Sequence, residues 1–483
     1  MKLSELLQTT GLPEDPEILE IVYDSRKARP GTLFVALRGH QTDGHRYLRD
    51  AWERGAVAAI VEHKDPDIPL LQIEVSNTRS ALPRIAARFY GDPTKDLTVI
   101  GITGTNGKTT TAFLTHALLK GSGIATGLVT TILYKTIQET QPAELTTPES
   151  VDLFRLFRKT VDEGGKAVVM EVSSHGVVEH RVDEIDFDYG IFTMLGRDHL
   201  DYHKTFEAYR EAKAQFLARV RKGVSLNADD PQSPWFRERI RAQDVVTYGL
   251  QMGDLRAEIL KNDLFGLEIQ THGWFEMRFQ LPIPGRFNAY NLLAALTIGR
   301  WMGLSPQDMQ QAISKEFHGV PGRFETVVRP GEAPFQVIID FAHTPDALES
   351  LLSAVRELRP RHVITLFGAG GDRDRGKRPL MGQVAWKLSD YVIVTSDNPR
   401  TEDPKKIIAD ILEGIPDKKN VFTIVDRAEA IAKAMRLAGP GDVIVLAGKG
   451  HEDYMVIGHT KVPFRERDIV RSLLREMGYV DGS

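Results

Sequence analysis

The chain has 483 residues, with 61 Lys and Arg against 66 Asp and Glu, a formal net charge of −5, and both signs interspersed. That balance argues against a nucleic-acid surface, and the length exceeds one compact core, so about three domains are expected. The absence of cysteine excludes disulfides, thiolate metal sites and a cysteine nucleophile. Met1-Lys-Leu-Ser-Glu-Leu-Leu7 lacks the apolar core of a secretory leader, and no long apolar run follows, so a cytoplasmic protein without a membrane or nucleic-acid partner is expected. A monomer is the expected state.

In chain order, Gly31-Thr-Leu-Phe-Val-Ala-Leu37 reads as a strand, Tyr47 to Arg54 as a helix and Ala56 to Val61 as another strand, together a small α/β domain. The turn-rich stretch Tyr90-Gly-Asp-Pro-Thr-Lys-Asp96 closes it near residue 95.

Leu97-Thr-Val-Ile-Gly-Ile-Thr103 then reads as a strand that runs through Gly104-Thr105-Asn106-Gly107-Lys108-Thr109-Thr110 into a helix. Backbone N–H groups of such a turn suit a phosphate, Lys108 can reach the β/γ-phosphates of ATP, and Thr109 can ligand Mg²⁺. Ile102 stands where the general phosphate-loop pattern has its first Gly, which leaves an ordinary Gly- and Thr-rich turn as the alternative.

Ala167-Val-Val-Met-Glu171 and Tyr189-Gly-Ile-Phe-Thr193 read as buried strands, each followed by polar chemistry: Glu171-Val-Ser-Ser-His175 and Asp198-His-Leu-Asp-Tyr-His203. Alternation with helical segments predicts a parallel sheet, whose carboxyl strand ends collect ligands. Glu171 is a candidate Mg²⁺ carboxylate, against a plain surface acid, and His199 is a second candidate contact. Lys213 falls on the apolar stripe of a helix starting near Thr205, four residues after Tyr209 and three before Phe216. Its spacing favours an ammonium that snorkels to water over one that reacts with CO₂.

Pro284-Gly-Arg-Phe-Asn288-Ala-Tyr-Asn291 leads a turn into a helix, where either Asn could meet an adenine edge and Asn288 could instead cap the helix. Beyond Gly322-Arg-Phe-Glu325, four strands are expected: Val337–Asp340, Val363–Phe367, Tyr391–Thr395 and Val443–Leu446. They end in Phe341-Ala-His343, Gly368-Ala-Gly-Gly-Asp372, Asp397-Asn-Pro-Arg400 and Gly448-Lys-Gly-His-Glu452. This is a second doubly wound sheet with its own binding edge. The basic loop Gly371-Asp-Arg-Asp-Arg-Gly-Lys-Arg378 and Arg400 suit anionic ligands, a guanidinium holding a carboxylate bidentately. No G-x-G-x-x-G fingerprint occurs, so a dinucleotide cofactor is not expected.

Taken in order, Thr103-Gly-Thr-Asn-Gly-Lys-Thr-Thr110, Leu145-Thr-Thr-Pro148, Glu171-Val-Ser-Ser-His175, Asp198-His-Leu-Asp-Tyr-His203, Ala212-Lys213, Gly322-Arg-Phe-Glu325, His343-Thr-Pro-Asp346, Gly371-Asp-Arg-Asp374, Asp397-Asn-Pro-Arg400 and Gly448-Lys-Gly-His-Glu452 resemble the Mur ligases, in particular the MurE type, over the whole length. The resemblance implies three α/β domains: a uridine-nucleotide domain (1–95), a central ATP-using domain with a phosphate loop and parallel sheet (96–325), and a Rossmann-like domain that brings the amino acid (326–483). It implies that ATP phosphorylates the terminal carboxylate of UDP-MurNAc-L-Ala-D-Glu and that an amine then attacks the acyl phosphate.

Carried over residue by residue, the resemblance assigns Lys108, Glu171, His199 and Lys213 to catalysis. It gives Thr109, Glu171, His199 and Lys213 to Mg²⁺ and makes Lys213 a carbamylated N6-carboxylysine, reversing the snorkelling preference. ATP would meet Gly104 through Thr110, with Asn291, Arg323, Asp340 and His343. Ser25, Thr146, Thr147, Ser173, Glu179 and Arg181 match positions for the nucleotide-linked peptide, and Arg373, Asp397, Asn398, Arg400, Gly448 and Glu452 those for the amino acid. Arg400 in Asp397-Asn-Pro-Arg400 is that family's mark for meso-diaminopimelate over L-lysine. Three positions depart from the pattern: Met194 for Asn, Phe341 for Tyr and Glu179 for Gln. A lysine-adding or diverged Mur paralogue, a folylpolyglutamate synthetase-like ligase, a simple ATP hydrolase and a non-catalytic nucleotide-binding scaffold are the competing expectations.

Overall fold

Continuous apolar runs such as Thr98-Val-Ile-Gly-Ile-Thr103 make strands that must be covered on both faces, and parallel sheets wrapped by crossover helices meet that need. A computed structural model describes residues 1–39, 42–196, 198–328 and 331–480, with the backbone alone at 200 and 201. Its contacts divide the chain into two units, Met1–Tyr248 with Ala294–Leu304, and Gly249–Leu293 with Ser305–Ser483.

The first unit opens with a four-stranded parallel sheet of β1 (Glu20–Val22), β2 (Thr32–Val35), β3 (Ala56–Val61) and β4 (Leu71–Glu74), in that order. Helix α1 (Thr78–Phe89) follows, with the Asn77 side chain accepting from Ser80 N to satisfy one of its free N–H groups. Leu82, Ile85 and Ala86 form its buried stripe.

A second sheet holds β5 (Thr98–Thr103), β6 (Thr126–Val129), β7 (Ala167–Glu171), β8 (Tyr189–Phe192), β9 (Gly223–Asn227) and β10 (Asp244–Gly249). The order is β10-β9-β8-β5-β7-β6, parallel throughout. Helix α2 (Lys108–Gly121) crosses from β5 to β6, α3 (Ser174–Val178) follows β7, and α4 (Phe206–Leu217) follows β8. Gly101 in β5 lets Phe216 of α4 lie against the sheet, since a Cβ there would stand 2.5 Å from the Phe216 ring. Phe187 meets the same ring edge-on at 4.9 Å, which sets the depth of α4.

The second unit contains an antiparallel meander of Leu255–Asp263, Gly266–Gly273 and Arg278–Leu281, whose period-2 burial the sequence reading did not pick out. Asn288 is not a cap. It lies inside the helix Arg286–Trp301, where its Nδ2 donates to the Pro284 carbonyl.

The sheet expected after residue 325 is present. Its parallel strands are β11 (Gln336–Asp340), β12 (Val363–Phe367), β13 (Tyr391–Val394), β14 (Val421–Thr423) and β15 (Val443–Ala447), ordered β11-β15-β12-β13-β14. Glu325–Val328 pairs antiparallel with β11 at the edge. Helices α5 (Lys377–Leu388), α6 (Arg427–Leu437) and α7 (Glu466–Glu476) belong to this sheet's layers. No helix among the described residues is long and apolar enough to cross a membrane.

Two strand ends of this sheet are tied by one buried guanidinium. Arg427 Nε pairs with Glu466 Oε1 at 2.8 Å, Nη1 donates to the Ser396 carbonyl and Nη2 to the Ala447 carbonyl. Both side chains are nearly inaccessible. Replacing Arg427 with Met strands a buried carboxylate and two carbonyls, and the expected loss of stability is about 3–5 kcal/mol. Denaturant unfolding of the full chain measures it, and an unshifted midpoint would refute the assignment.

Candidate active site

The phosphate loop is built by its neighbours. Gly104 has φ of 148°, a conformation that side chains rarely adopt, and Gly107 at 86° turns the chain into α2. Thr105 N donates to the Met194 carbonyl at 2.8 Å, Gly196 N donates to Thr105 Oγ1 at 2.9 Å, and the Tyr209 hydroxyl lies 3.0 Å from that oxygen. Thr193 Oγ1 donates to the Asn106 carbonyl at 2.6 Å. Lys108 bends back, its Nζ donating to the carbonyls of Gly104 and Thr105. Thr109 and Thr110 lie buried in the first turn of α2, where free N–H groups face anions.

Lys213 does not snorkel. It is 1 % exposed, between Tyr209 and Phe216 on the buried stripe of α4, and its Nζ donates to the same Gly104 carbonyl at 2.9 Å. Its nitrogen also lies 4.4 Å from the centre of the Tyr209 ring. Burial pushes its pKa well below the usual lysine range, the nearby Lys108 charge pushes the same way, and only Asp198 opposes them. Two ammonium groups on one carbonyl would repel by at least about 3 kcal/mol at an effective dielectric of 20. Burial and the neighbouring charge thus both favour the neutral amine at Lys213.

At the end of β7, Glu171 is buried and accepts from Thr131 N at 2.9 Å and from Thr131 Oγ1. Thr131 Oγ1 also reaches Thr146, which brings that residue beside the carboxylate. Thr147 Oγ1 donates to the Glu171 carbonyl and accepts from Ser173 N, and Ser173 Oγ caps α3.

Arg181 Nη1 donates to the Thr147 carbonyl, and its guanidinium pairs with both Glu179 and Glu149. Arg79 of α1 meets the same two carboxylates at 3.3 and 3.5 Å. Burial raises the Glu149 pKa against the pull of Arg181 and Arg79. Tyr202 donates to Glu179 Oε1. Ser25 begins a short 3-10 turn after β1 and is not part of this hydrogen-bonded group.

His199, with φ of 53°, sits 3.5 Å from Asp198 Oδ2 and edge-on to His175 at 4.8 Å between ring centres. Burial, with His199 and His203 nearby, pushes the His175 pKa down to about 4. Among the described residues no three His, Cys, Asp or Glu side chains gather into a metal cage. Such a sparse oxygen donor set, the Glu171 carboxylate and Thr109 hydroxyl, fits Mg²⁺, which commonly takes one or two protein groups with phosphate oxygens and water.

In the second unit, Asp340 accepts from Phe324 N and Ala342 N, and burial raises its pKa against the neighbouring Arg323. The Arg323 guanidinium lies 4.8 Å from the centre of the Phe341 ring, which also meets His343 and His451. Thus Arg323, Asp340 and His343 come together. Asn291 lies on the helix Arg286–Trp301, its Nδ2 donating to Asn288 Oδ1.

The carboxyl ends of β13 and β15 gather Asp397, Asn398 and Glu452 around the fully buried ammonium of Lys449. A Cβ on Gly448 would stand 2.7 Å from Asp397 Oδ2. Arg400 adopts φ of 51°, and its Nη1 donates to the Gly371 carbonyl at 2.8 Å. The basic loop is not free for anions as a whole. Arg378 is buried against Glu402 and Asp410, Arg375 pairs with Glu402, and Lys377 donates to the His343 carbonyl, while Arg373 is exposed.

Sequence reasoning passed over Lys449, Thr131, Glu149 and Arg79. Only Lys449 carried a signal, a lysine between two glycines at the end of a buried strand. The others are distant in sequence from what they hold.

The chain matches the family profiles described as Mur ligase family, catalytic domain (residues 17–90), Mur ligase middle domain (102–299) and Mur ligase, glutamate ligase domain (322–450). It is 43 % identical to UDP-N-acetylmuramoyl-L-alanyl-D-glutamate–2,6-diaminopimelate ligase of Caldanaerobacter subterraneus subsp. tengcongensis, over 95 % of each chain. A solved structure of a ligase bearing the same name is 30 % identical with a TM-score of 0.68, covering 99 % of this chain and 100 % of that one. The MurF ligase of Thermotoga maritima in complex with ADP shares the fold at 20 % identity and a TM-score of 0.65, over 95 % of this chain and 97 % of that one. The ordered motifs from Thr103 to Arg400 fall within the family matches, and the chain belongs to the Mur ligase family.

Proposed function

We propose that the chain is an ATP-dependent amide ligase that adds meso-diaminopimelate to UDP-N-acetylmuramoyl-L-alanyl-D-glutamate in cytoplasmic peptidoglycan precursor synthesis. The observation that carries this reading is a phosphate loop whose Gly104 carbonyl holds both Lys108 and a buried Lys213, in a chain similar over nearly its whole length to ligases of that name. Residues 1–95 would grip the uridine nucleotide, 96–325 would use ATP, and 326–483 would bring the amino acid.

Lys108 turns from the loop carbonyls to the ATP phosphates, where its charge offsets the negative charge that builds during phosphoryl transfer. Mg²⁺ would be held by Thr109 and Glu171, with His199 beside them, and would supply further charge neutralisation at the phosphates. Arg181 would hold a carboxylate of the nucleotide-linked peptide, in exchange for Glu149 or Glu179. The amine of the incoming amino acid attacks the acyl phosphate carbonyl, an N–C bond forms, and phosphate leaves as the amine loses its proton. Arg323, Asp340, His343 and Asn291 fit contacts to ATP.

A neutral Lys213 amine can add CO₂, losing one proton to become a carbamate and turning a would-be cation into an oxygen donor. The proximity of Lys108 stabilises that anion. At the other site, Arg400 and Arg373 would clamp the second carboxylate of diaminopimelate, which L-lysine lacks, with Glu452 and the Gly448 carbonyl receiving its ammonium beside Asp397 and Asn398.

Purified protein with ATP, Mg²⁺ and UDP-MurNAc-L-Ala-D-Glu should release phosphate and form the tripeptide with meso-diaminopimelate but not with L-lysine, as read by mass. Product with lysine alone would overturn the specificity, and none with either would overturn the ligase reading. With ¹³C-bicarbonate the wild-type chain should show a carbamate carbon resonance that Lys213→Met lacks. That variant should lose activity at least about a hundredfold, without rescue by bicarbonate. Full activity in it would remove Lys213 from the mechanism. Arg400→Lys should raise KM for diaminopimelate by roughly tenfold to a hundredfold while KM for ATP holds, since a point charge replaces a bidentate fork.

A further inference from the structure

Lys449 is 0 % exposed. Its Nζ donates to Glu452 Oε2 at 3.0 Å and to Asn398 Oδ1 at 3.2 Å, with Asp397 Oδ1 at 3.7 Å. Asn398 Nδ2 donates to the same Glu452 oxygen at 2.9 Å, so Oε2 carries both bonds and Oε1 stands outside them. Asn398 Oδ1 also accepts from Val456 N, while the Val456 carbonyl accepts from Arg400 N. Arg400 and the Lys449 cluster are thus fastened to the two sides of one peptide stretch.

A buried ammonium needs acceptors on every side, and here they are three of the residues assigned above to the incoming amino acid. Asp397 and Glu452 meet one ammonium, so the cluster keeps a single negative charge for the ammonium of an incoming head group, while Arg400 and Arg373 are left for its carboxylate. Without Lys449 the cluster carries two negative charges and suits a lone ammonium more strongly.

We propose that Lys449 is a positioning residue that sets amino-acid specificity: it fixes the Asn398 amide and one oxygen of Glu452, and cancels one carboxylate charge, so that the site takes a zwitterionic head group over a simple cation. This rests on the proposed diaminopimelate reading. The roles differ in kind, because Lys449 touches the binding groups rather than the substrate.

The test measures KM and kcat of the full chain and of Lys449→Met for meso-diaminopimelate, L-lysine and ATP, with unfolding temperature alongside. The expected result is a roughly tenfold or greater rise in KM for diaminopimelate, a kcat within about threefold, an unchanged KM for ATP, and a preference for diaminopimelate over lysine lowered by about tenfold. An unchanged KM and preference, or an equal rise in KM for ATP, would overturn it.

If Lys449→Met does not fold, Lys449→Met/Glu452→Gln removes the charges as a pair and is compared with Glu452→Gln alone. Equal KM for diaminopimelate supports action through Glu452, and a further large rise refutes it. A wild-type chain that ignores diaminopimelate would sink the underlying reading, whereas wild-type turnover with an unresponsive variant would sink this inference alone.

Discussion

A charge removed from water must be met by another charge or by aimed dipoles, and this chain puts its charges where parallel strands end. There the backbone has stopped pairing, and carbonyls and N–H groups are open to side chains. Gly104 offers one carbonyl to two lysines. Arg79 and Arg181 share Glu149 and Glu179. Arg427 takes the carbonyls of Ser396 and Ala447, one residue before Asp397 and Gly448 respectively. In each case the fold gives the charge a protein partner before any ligand arrives, and Lys108 and Arg181 would have to exchange that partner for a ligand. The same low dielectric that makes an unpaired charge costly also makes each of these pairings strong.

The strands were legible because parallel strands buried on both faces leave unbroken apolar runs. Ala56–Val61, Ala167–Glu171 and Val363–Phe367 lie where the sequence puts them. The antiparallel meander of residues 255–281 was not, since its alternation of Arg, Glu and Lys with Leu, Ala and Ile is weak over short spans. Single-residue motifs at strand ends were legible as chemistry. Their partners were not: Thr131 holds Glu171 from forty residues away, and Arg79 meets Glu179 from a hundred. The helical stripe placed Lys213 correctly, but periodicity says only that a side chain points inward. Whether an inward lysine escapes to water depends on the depth of the helix, which Gly101 and Phe216 decide. Likewise the basic loop after β12 reads as a ligand surface, yet two of its four basic side chains, Arg375 and Arg378, close on Glu402 and Asp410.

The departures from the family pattern have physical contexts. Met194 anchors the phosphate loop through its backbone carbonyl, a contact indifferent to its side chain. An amide does reach this strand end from β9, where Asn227 Nδ2 donates to the Thr193 carbonyl. Phe341 lacks a hydroxyl but presents its ring to Arg323 and His451, a contact that needs only a π face. Glu179 supplies a second carboxylate to two guanidiniums, so that Arg79 and Arg181 are balanced within the protein.

Arg400 has a further meaning through its backbone. Left-handed φ in a residue with a Cβ costs roughly 1–2 kcal/mol, and glycine or asparagine would occupy the position more cheaply. The chain holds the conformation from both sides, Arg400 N bonding to Val456 O and Gly458 N to Arg400 O. The direction of the Cα–Cβ bond, from which the side chain starts, is therefore set by the main chain before any rotamer is chosen. Substituting glycine at that position would relax the backbone and remove the guanidinium in a single step.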